Sequence, residues 1–335
     1  MPMALVALMM IAPGSAGLSS PVSVAEKPVE TGLVEVGRDQ PHDAIPERYQ
    51  LEPQRFPYEL RLKYDLARSG VRIFSVRFPS AVTSPHPVNN IVHGELFLPR
   101  NPGRYPAVIV LDILDGKQLV SRGEALWLAQ HGIAAMTVVM PYYGPRRPSE
   151  VPHRMLSPNI ELSLQNVRQA VLDCRRAAAF LAAHPQVNPD RLGVVGTSLG
   201  SFVGSLVAAA EPRVRSACLL LGGGGLVDAF WHHPRAMAIT PVLQLFGISK
   251  GVLAKQIAPV DPLTYADQLK SKRLLLIAAS RDDVVPPTAM QRLWEATGKP
   301  KILWLDATHV GAAAYAFPAM EAIILHLREE NDRKK

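Results

Sequence analysis

Short apolar runs alternate with segments of helical periodicity along most of this chain, and this alternation most constrains its fold. Strand-length apolar runs lie at 106–111, 133–140 and 273–279, and each is followed by a polar residue or proline. Between the last two, residues 160–184 follow the period of an amphipathic helix. Strands that alternate with helices build a parallel sheet with helices on both faces. The sequence therefore predicts an α/β fold around one mostly parallel central sheet.

Composition divides the 335-residue chain into three regions. Residues 1–25 begin with an apolar run that leads into small residues, which is typical of a cleaved signal peptide. Residues 26–67 are polar and rich in proline, so we expect an irregular N-terminal arm. Residues 68–335 hold the alternating strands and helices. Within them, about 226–270 is too long for a simple connection and favours a helical cap, with ordinary surface helices as the alternative.

The predicted signal peptide places the protein outside the cytoplasm, either secreted or periplasmic. Its first residues contain no Lys or Arg, although such residues usually precede the apolar core of a signal peptide. A cytoplasmic protein with an irregular N-terminus is therefore the alternative. No later stretch is long and apolar enough to predict a membrane span.

Charge and cysteine content exclude several classes of function. The formal net charge is +7, but the basic residues are scattered, whereas a nucleic-acid site would need them clustered. The two cysteines, Cys174 and Cys218, lie in apolar or helical segments and cannot supply a disulfide framework. No Cys or His spacing typical of metal ligands occurs, so we expect no metal site. The sequence does not indicate an oligomeric state.

A glycine-flanked serine joins a predicted strand to a predicted helix in the segment 196–200 (GTSLG). In so tight a turn, side chains at the glycine positions would strike the neighbouring backbone. The turn raises the Ser198 hydroxyl above the sheet, and the following helix directs its N-terminus at a reacting carbonyl. The pattern predicts Ser198 as a nucleophile, and a glycine-rich packing turn is the alternative.

A serine hydroxyl is a weak nucleophile unless a histidine takes its proton and a carboxylate orients that histidine. Asp282 follows the predicted strand at 273–279, and His309 follows the predicted strand at 301–305. Both are therefore expected at the carboxyl edge of the sheet, where open α/β sheets carry their sites. The sequence thus predicts Ser198 as nucleophile, His309 as general base and Asp282 as orienting acid.

Other residues compete for two of these roles. Asp283 is adjacent to the predicted acid, but neighbouring residues in an extended loop point to opposite sides. It would instead cap the helix that begins near Pro287 or pair with Arg281. Three further histidines follow the serine in the chain, two in the predicted cap and one in the last helix: His232, His233 and His326. For these we expect surface or core positions.

These motifs together resemble the α/β-hydrolase superfamily over about residues 68–330. The motifs that match are Gly-Thr-Ser198-Leu-Gly, Asp282 followed by Val285-Pro286, and Asp306-Ala-Thr-His309. The segment 141–146 (PYYGPR) is similar to a motif of acetyl-xylan-esterase-like and dienelactone-hydrolase-like branches. The family pattern places the acid four residues before the proline, which selects Asp282 over Asp283.

The resemblance implies an α/β-hydrolase fold and hydrolysis of carboxylic esters through an acyl-enzyme on Ser198, without a cofactor. The expected substrate is a small-molecule or carbohydrate ester. A peptidase of the prolyl-oligopeptidase kind is the alternative among enzymes, although 335 residues leave no room for the propeller that such peptidases normally carry. A catalytically silent hydrolase fold that binds ligands is the alternative outside enzymes.

The predicted oxyanion hole departs from the family pattern. Family members usually carry His-Gly before the residue whose backbone N–H completes the hole, whereas this chain has 111–116 (LDILDG). Because the hole uses backbone donors, the change does not remove it. We expect the Leu199 N–H as one donor and the Ile113 or Leu114 N–H as the other. Asp112 would oppose a developing oxyanion unless it is paired or points away, which keeps the silent alternative open.

Two segments are predicted to form the walls of the substrate pocket. Tyr142, Tyr143 and Arg146 follow a buried strand at the active edge, and Arg146 would bind an anionic or polar group. A packed turn in which Arg146 pairs with a cap carboxylate is the alternative. Trp231 is predicted to line the pocket from the cap. Other apolar cap residues would either line the pocket or pack the cap onto the body: Phe230, Leu243, Leu245 and Phe246.

Overall fold

The computed structural model describes residues 29–39, 45–152, 154–157, 159–231, 234 and 249–329. Within these ranges, ten strands form one continuous sheet. The strands are β1 Val29–Val36, β2 Gln54–Leu66, β3 Val71–Pro79, β4 Ile91–Pro99, β5 Tyr105–Leu111, β6 Ala134–Val138, β7 Val187–Thr197, β8 Val214–Leu220, β9 Arg273–Ala279 and β10 Lys301–Leu305.

The sheet has an antiparallel half and a parallel half. Its strand order is β1-β2-β3-β4-β6-β5-β7-β8-β9-β10. Neighbours from β1 to β4 run antiparallel, as do β4 and β6. From β6 to β10 all neighbours are parallel. The prediction of a mostly parallel central sheet is confirmed, and the carboxyl ends of the parallel strands share one edge.

Helices cover both faces of the sheet. The described helices are α1 Leu119–Gln130, α2 Ile160–Ala183, α3 Leu199–Ala210, α4 Leu226–Phe230, α5 Lys250–Ile257, α6 Ala266–Lys270, α7 Pro287–Ala296 and α8 Ala316–Arg328. The hydrophobic core on one face includes α2 and α3, and the core on the other face includes α1 and α8. None of the described helices has the length and apolarity that crossing a bilayer requires.

The central strand β5 explains why the sequence shows continuous apolar runs. Val108 and Val110 pack against the α1 and α8 face, whereas Ile109 and Leu111 pack against the α2 and α3 face. Successive side chains of a strand point to opposite faces, so a strand covered on both sides needs apolar residues at every position. Burial of each such side chain stabilises the fold by about 1.5–3 kcal/mol.

The expectation of an irregular arm over residues 26–67 is wrong for two parts of that segment. Strands β1 and β2 lie there and extend the sheet, with Val34, Val36, Phe56 and Leu60 buried. The buried residues alternate with more exposed ones because only one face of these strands packs on the body. Mixed with prolines, that pattern has the composition of a loop, which explains the error.

The segment predicted as a cap contains helices in its described parts. Helices α4, α5 and α6 lie within 226–270, together with short 3₁₀ turns. The ion pairs Asp228–Lys250 and Asp228–Arg292, at 2.7 and 2.8 Å, join α4 to α5 and to α7. The predicted signal peptide lies outside the described residues, and the division into domains stays a prediction.

Candidate active site

Ser198 occupies the turn between β7 and α3. Its φ is 54° and its ψ is −114°, a strained conformation for a residue with a side chain. A β-carbon at Gly196 would overlap the backbone of Gly200, and one at Gly200 would overlap the carbonyl of Leu111. Both glycines are therefore required by close backbone contact. The turn is held by the Ser198 N–H, which donates to the Leu220 carbonyl at 2.8 Å.

The three side chains predicted as a catalytic set lie together at the carboxyl edge of the sheet. The His309 Nε2 atom is 3.0 Å from Ser198 Oγ. The His309 Nδ1 atom is 2.7 Å from Asp282 Oδ2. The side chains of His309 and Asp282 are 12% and 4% exposed, so water screens their contact little. This geometry allows a proton to pass from the serine to the imidazole, while the carboxylate orients the ring.

The loop after β9 fixes the orientation of the Asp282 carboxylate. Its Oδ1 atom accepts the backbone N–H groups of Val284 and Val285 at 2.9 and 2.7 Å. These two donors occupy one carboxylate oxygen and leave Oδ2 directed at the imidazole. Backbone donors hold this arrangement, so it does not depend on a mobile side chain.

Asp283 has a different contact from those expected for it. Its Oδ1 atom accepts the His309 backbone N–H at 3.3 Å. Helix α7 begins at Pro287 without a side-chain cap, and Arg281 pairs with Asp306 at 2.9 Å. The helix-capping and Arg281-pairing interpretations of Asp283 are therefore wrong. Asp283 instead helps to hold the histidine loop against the acid loop.

Of the three competing histidines, the structure describes His326, which lies away from this site. His326 is buried in α8, where its Nε2 atom lies 3.3 Å from the Arg273 carbonyl, and burial lowers its pKa. This is the core position that the sequence led us to expect. The other two, His232 and His233, lie outside the described residues.

The Asp112 carboxylate is paired with backbone donors at the start of α1. It is fully buried and accepts the backbone N–H groups of Gln118 and Ser121, at 2.7 and 3.2 Å. Burial raises the pKa of this carboxyl, and backbone N–H groups, including that of Ile113, oppose the rise. An oxyanion hole can form nearby only if Asp112 is paired or points away, and these hydrogen bonds pair it.

These contacts narrow the choice of oxyanion donors. The Leu199 N–H begins α3, and the first N–H groups of a helix have no intrahelical acceptor. Leu114 lines the cavity beside Ser198, whereas Ile113 is not part of that lining. This leaves the Leu114 N–H as the better candidate for the second donor.

Glu124 is a residue near the site that sequence analysis did not single out. It lies on α1, and its Oε1 atom accepts the Thr197 hydroxyl at 2.8 Å, one residue before the nucleophile position. Its Oε2 atom is buried without a hydrogen-bond partner among the described residues. Burial, with a smaller contribution from Asp112, raises the pKa of this carboxyl to about 7. The sequence feature that could have identified Glu124 is the presence of a glutamate inside an apolar helical segment.

We expect Glu124→Gln to stabilise the protein in a pH-dependent way. Because the wild-type carboxyl has a higher pKa when folded than when unfolded, its ionisation opposes folding increasingly from about pH 4.5 to pH 7. Glutamine keeps the acceptor for Thr197 and never ionises. The gain in unfolding free energy should grow over this range to at most about 3 kcal/mol. Urea unfolding at several pH values measures it, and a pH-independent difference would contradict the assignment.

Tyr142, Tyr143 and Arg146 do not line the cavity beside Ser198, so the prediction that they form its wall is wrong. Arg146 is 0% exposed, and its Nη2 atom lies 2.7 Å from Asp173 Oδ2 on α2. Tyr142 is buried, and its backbone N–H donates to Asn89 Oδ1 at 3.1 Å. Tyr143 lines a separate polar cavity of about 500 Å³. The packed-turn alternative describes Arg146 better, with its partner on α2 rather than in the cap.

Replacing Arg146 with methionine should destabilise the fold. The substitution leaves the Asp173 carboxylate buried without its cation, which typically costs about 3–5 kcal/mol. Urea unfolding measures the loss. The matched control is Arg147→Met at the exposed neighbour, where we expect a change within about 0.5 kcal/mol. A raised KM with unchanged stability would instead return Arg146 to the substrate pocket.

A cavity of about 590 Å³ opens beside Ser198. Apart from this serine, every described residue that lines it is apolar. They are Leu114, Leu156, Val167, Leu199, Phe202, Val203, Leu206, Leu226, Val227, Phe230, Trp231, Leu253, Ile257, Val260, Val284 and Val285. The cavity includes Trp231 and Phe230, as predicted, whereas Leu243, Leu245 and Phe246 lie outside the described residues. No group of acidic, His or Cys side chains suited to a metal ion occurs in the described ranges.

Parts of the sequence are similar to one protein family and to individual known proteins. A model of the prolyl oligopeptidase family matches residues 161–305, which contain Ser198 and Asp282 but not His309. An uncharacterized protein of Mycobacterium tuberculosis is 26% identical over 183 residues, which are 54% of this chain and only 43% of that protein. Esterase YjfP of Escherichia coli is 28% identical over 204 residues, which are 59% of this chain and 78% of YjfP.

The solved structures identify the fold. Acetyl xylan esterase from Paenibacillus sp. R4 superposes with a TM-score of 0.63 at 19% identity, covering 80% of this chain and 88% of the esterase. The order of the strands, the turn at Ser198 and these similarities all indicate the same fold. The chain therefore has the α/β-hydrolase fold, and parts of its sequence are similar to the prolyl oligopeptidase family and to an esterase.

Proposed function

We propose that this protein is a serine hydrolase that cleaves carboxylic esters through an acyl-enzyme on Ser198. The observation that carries the proposal is the chain of contacts from Ser198 Oγ to His309 Nε2 and from His309 Nδ1 to Asp282, at 3.0 and 2.7 Å. The glycine-bounded turn holds Ser198, and backbone N–H groups hold the Asp282 carboxylate that orients His309, as acyl transfer requires.

In the first half of the reaction, His309 Nε2 takes the Ser198 hydroxyl proton while Oγ attacks the ester carbonyl. Asp282 stabilises the imidazolium, and the Leu199 N–H, with that of Leu114, stabilises the oxyanion. The carbon–oxygen bond to the alcohol then breaks, and the imidazolium protonates the leaving oxygen. In the second half, His309 removes a proton from water, which attacks the acyl-enzyme carbonyl. The bond between the acyl carbon and Ser198 Oγ then breaks, the imidazolium returns its proton to Oγ, and the acid is released.

Peptide hydrolysis is the second candidate, because the prolyl oligopeptidase family model matches residues 161–305. The same three groups serve either reaction, so geometry around Ser198 does not separate them. A p-nitrophenyl butyrate assay beside an aminoacyl p-nitroanilide assay does. We expect kcat/KM for the ester to exceed that for the anilide by more than about 100-fold, and the reverse ranking would favour a peptidase.

Labelling with a fluorophosphonate tests the proposal independently of the substrate. The probe reacts with an activated serine, so intact mass should increase by one adduct, located at Ser198 by peptide mapping. No adduct and no turnover of either substrate would favour a ligand-binding protein without catalysis.

We further propose export, on the basis of residues 1–25 alone. The mass of the mature protein recovered from its native host tests this. Loss of an N-terminal segment ending near residue 16 or 25 agrees with export, and retention of Met1 in a cytoplasmic fraction contradicts it.

A further inference from the structure

The described lining of the cavity beside Ser198 is almost entirely apolar. Three sets of apolar side chains surround it: Phe202, Val203 and Leu206 on α3, Val227 and Trp231 at α4, and Leu253 and Ile257 on α5. Its volume of about 590 Å³ is that of a small-molecule site. We infer that the cavity binds the apolar chain of a hydrophobic ester. This inference rests on the proposed esterase function and names its substrate class.

Besides the Ser198 hydroxyl, the only polar side-chain group that the described lining offers a sugar ring is the indole N–H of Trp231. Apart from the Ser198 hydroxyl, which the reaction uses, each described lining side chain is a hydrocarbon or an aromatic ring. A buried hydroxyl without a hydrogen bond lowers binding by roughly 5- to 150-fold. A carbohydrate would bury several such hydroxyls in this cavity. Of the two expected substrate classes, a small-molecule ester with an apolar chain therefore fits better than a carbohydrate ester.

An alkyl chain gains from the same lining. Each methylene that leaves water for an apolar surface should raise kcat/KM by about fourfold while space remains. A methyl group, as in an acetyl ester, would use little of the volume. We therefore expect kcat/KM to rise on the order of 100-fold from a two-carbon to a six-carbon chain.

Helix α5 forms the wall that should set the usable length. Leu253 and Ile257 are spaced by four residues, are half-buried and line the cavity. Val252 lies on the same helix but is 43% exposed and is not part of the lining. The ion pair of Lys250 with Asp228 joins this helix to α4. Substitutions at 252 and 253 thus form a matched pair on one helix.

Two ester series test the inference. One keeps p-nitrophenol and lengthens the acyl chain from acetate to octanoate, and the other keeps acetate and lengthens the alkyl alcohol. A steep rise of kcat/KM with length in either series supports the inference and assigns the chain to the acyl or the alcohol side. Flat profiles, or a preference for the two-carbon member in both, overturn it while leaving the esterase proposal intact.

Binding measurements separate failure of this inference from failure of the proposed function. Ser198→Ala should bind p-nitrophenyl octanoate, followed by quenching of tryptophan fluorescence, at least about 100-fold more tightly than p-nitrophenyl acetate. This result would hold even if the wild type hydrolysed neither ester and resisted fluorophosphonate. Equal affinity for both of these esters, together with equal affinity for octyl acetate and ethyl acetate, would overturn the inference whatever the activity.

Leu253→Trp tests whether the chain occupies this cavity. The larger ring fills space beside α5, so the ratio of kcat/KM for octanoate to that for acetate should fall at least about tenfold. Val252→Trp places the same ring on the exposed face of α5 and should leave that ratio within about twofold. An unchanged ratio in Leu253→Trp, or equal changes in both folded variants, would show that the chain binds elsewhere and would overturn the inference.

Discussion

Replacing Ser198 with alanine should lower kcat by about four to six orders of magnitude while the protein stays folded. Ser198 Oγ lies 3.0 Å from the proposed base, His309 Nε2. Among the described residues that line the cavity, no other side chain carries a hydroxyl, thiol or amine that would replace it as nucleophile. Alanine tolerates the positive φ at this position about as well as serine does. The measurements are kcat with p-nitrophenyl butyrate, fluorophosphonate labelling and the thermal unfolding midpoint.

Ser201→Ala is the matched control, three residues further along the chain. The Ser201 hydroxyl is buried and has no hydrogen-bond partner among the described residues, so its removal should change kcat less than about twofold. Activity of Ser198→Ala within tenfold of the wild type, or labelling that persists in it, would contradict the assignment.

The proposed roles of Ser198 and His309 also predict strong non-additivity. Neither the nucleophile nor the base is useful without the other, so His309→Ala alone should be about as damaging as Ser198→Ala. The double variant should then lose no more activity than either single variant. Multiplicative losses, measured under the same conditions, would show that the two residues act independently and would contradict a shared step.

Much of the candidate site was predictable because it depends on where strands end. Ser198, Asp282 and His309 each follow a strand of the parallel half, and parallel strands bring their carboxyl ends to one edge. Apolar runs mark those strands clearly, since β5 and β7 to β9 are covered on both faces. The relative position of the three residues thus follows from the local pattern and the sheet topology, although they lie far apart in the chain.

The environment of Arg146 was not predictable in this way. Its partner Asp173 lies within α2, which the sequence shows only as an amphipathic helix. The register that brings one residue of α2 onto the turn after β6 depends on packing across the whole face. The position of Arg146 at the carboxyl edge of the sheet, taken alone, therefore led to the incorrect prediction that it binds substrate.

Two further features of the structure were not predicted from the sequence. They depend on packing against only one face of a strand, or on contacts between residues far apart in the chain. The strands β1 and β2 alternate buried and more exposed residues among prolines, so their sequence has the composition of a loop until β3 provides a pairing edge. Glu124 is an ordinary surface-type residue of α1 in the sequence. In the structure its Oε2 atom is buried, and its Oε1 atom accepts the hydroxyl of Thr197, the last residue of β7.

Asp282→Asn should lower kcat by about 10⁴-fold and leave the fold intact. The asparagine Oδ1 can still accept the Val284 and Val285 N–H groups, which hold the loop. Its amide N–H₂ would then face His309 Nδ1 in place of the carboxylate oxygen now 2.7 Å away. That contact favours the imidazole tautomer protonated at Nε2, which cannot take the serine proton, and it removes the anion that stabilises the imidazolium. The measurements are kcat and the unfolding midpoint of the purified variant.

Asp283→Asn separates this role from a general effect of removing a carboxylate in the loop. The Asp283 Oδ1 atom accepts a backbone N–H of His309 at 3.3 Å, and an asparagine oxygen can accept the same hydrogen bond. We therefore expect less than a tenfold loss of kcat. The two variants each remove one negative charge from adjacent positions. The difference between their kcat values therefore reports contact with the imidazole ring rather than the electrostatic field of the loop. If Asp283→Asn lost the activity and Asp282→Asn kept it, the acid would be Asp283, and the 2.7 Å contact of Asp282 would serve only to hold the ring in place.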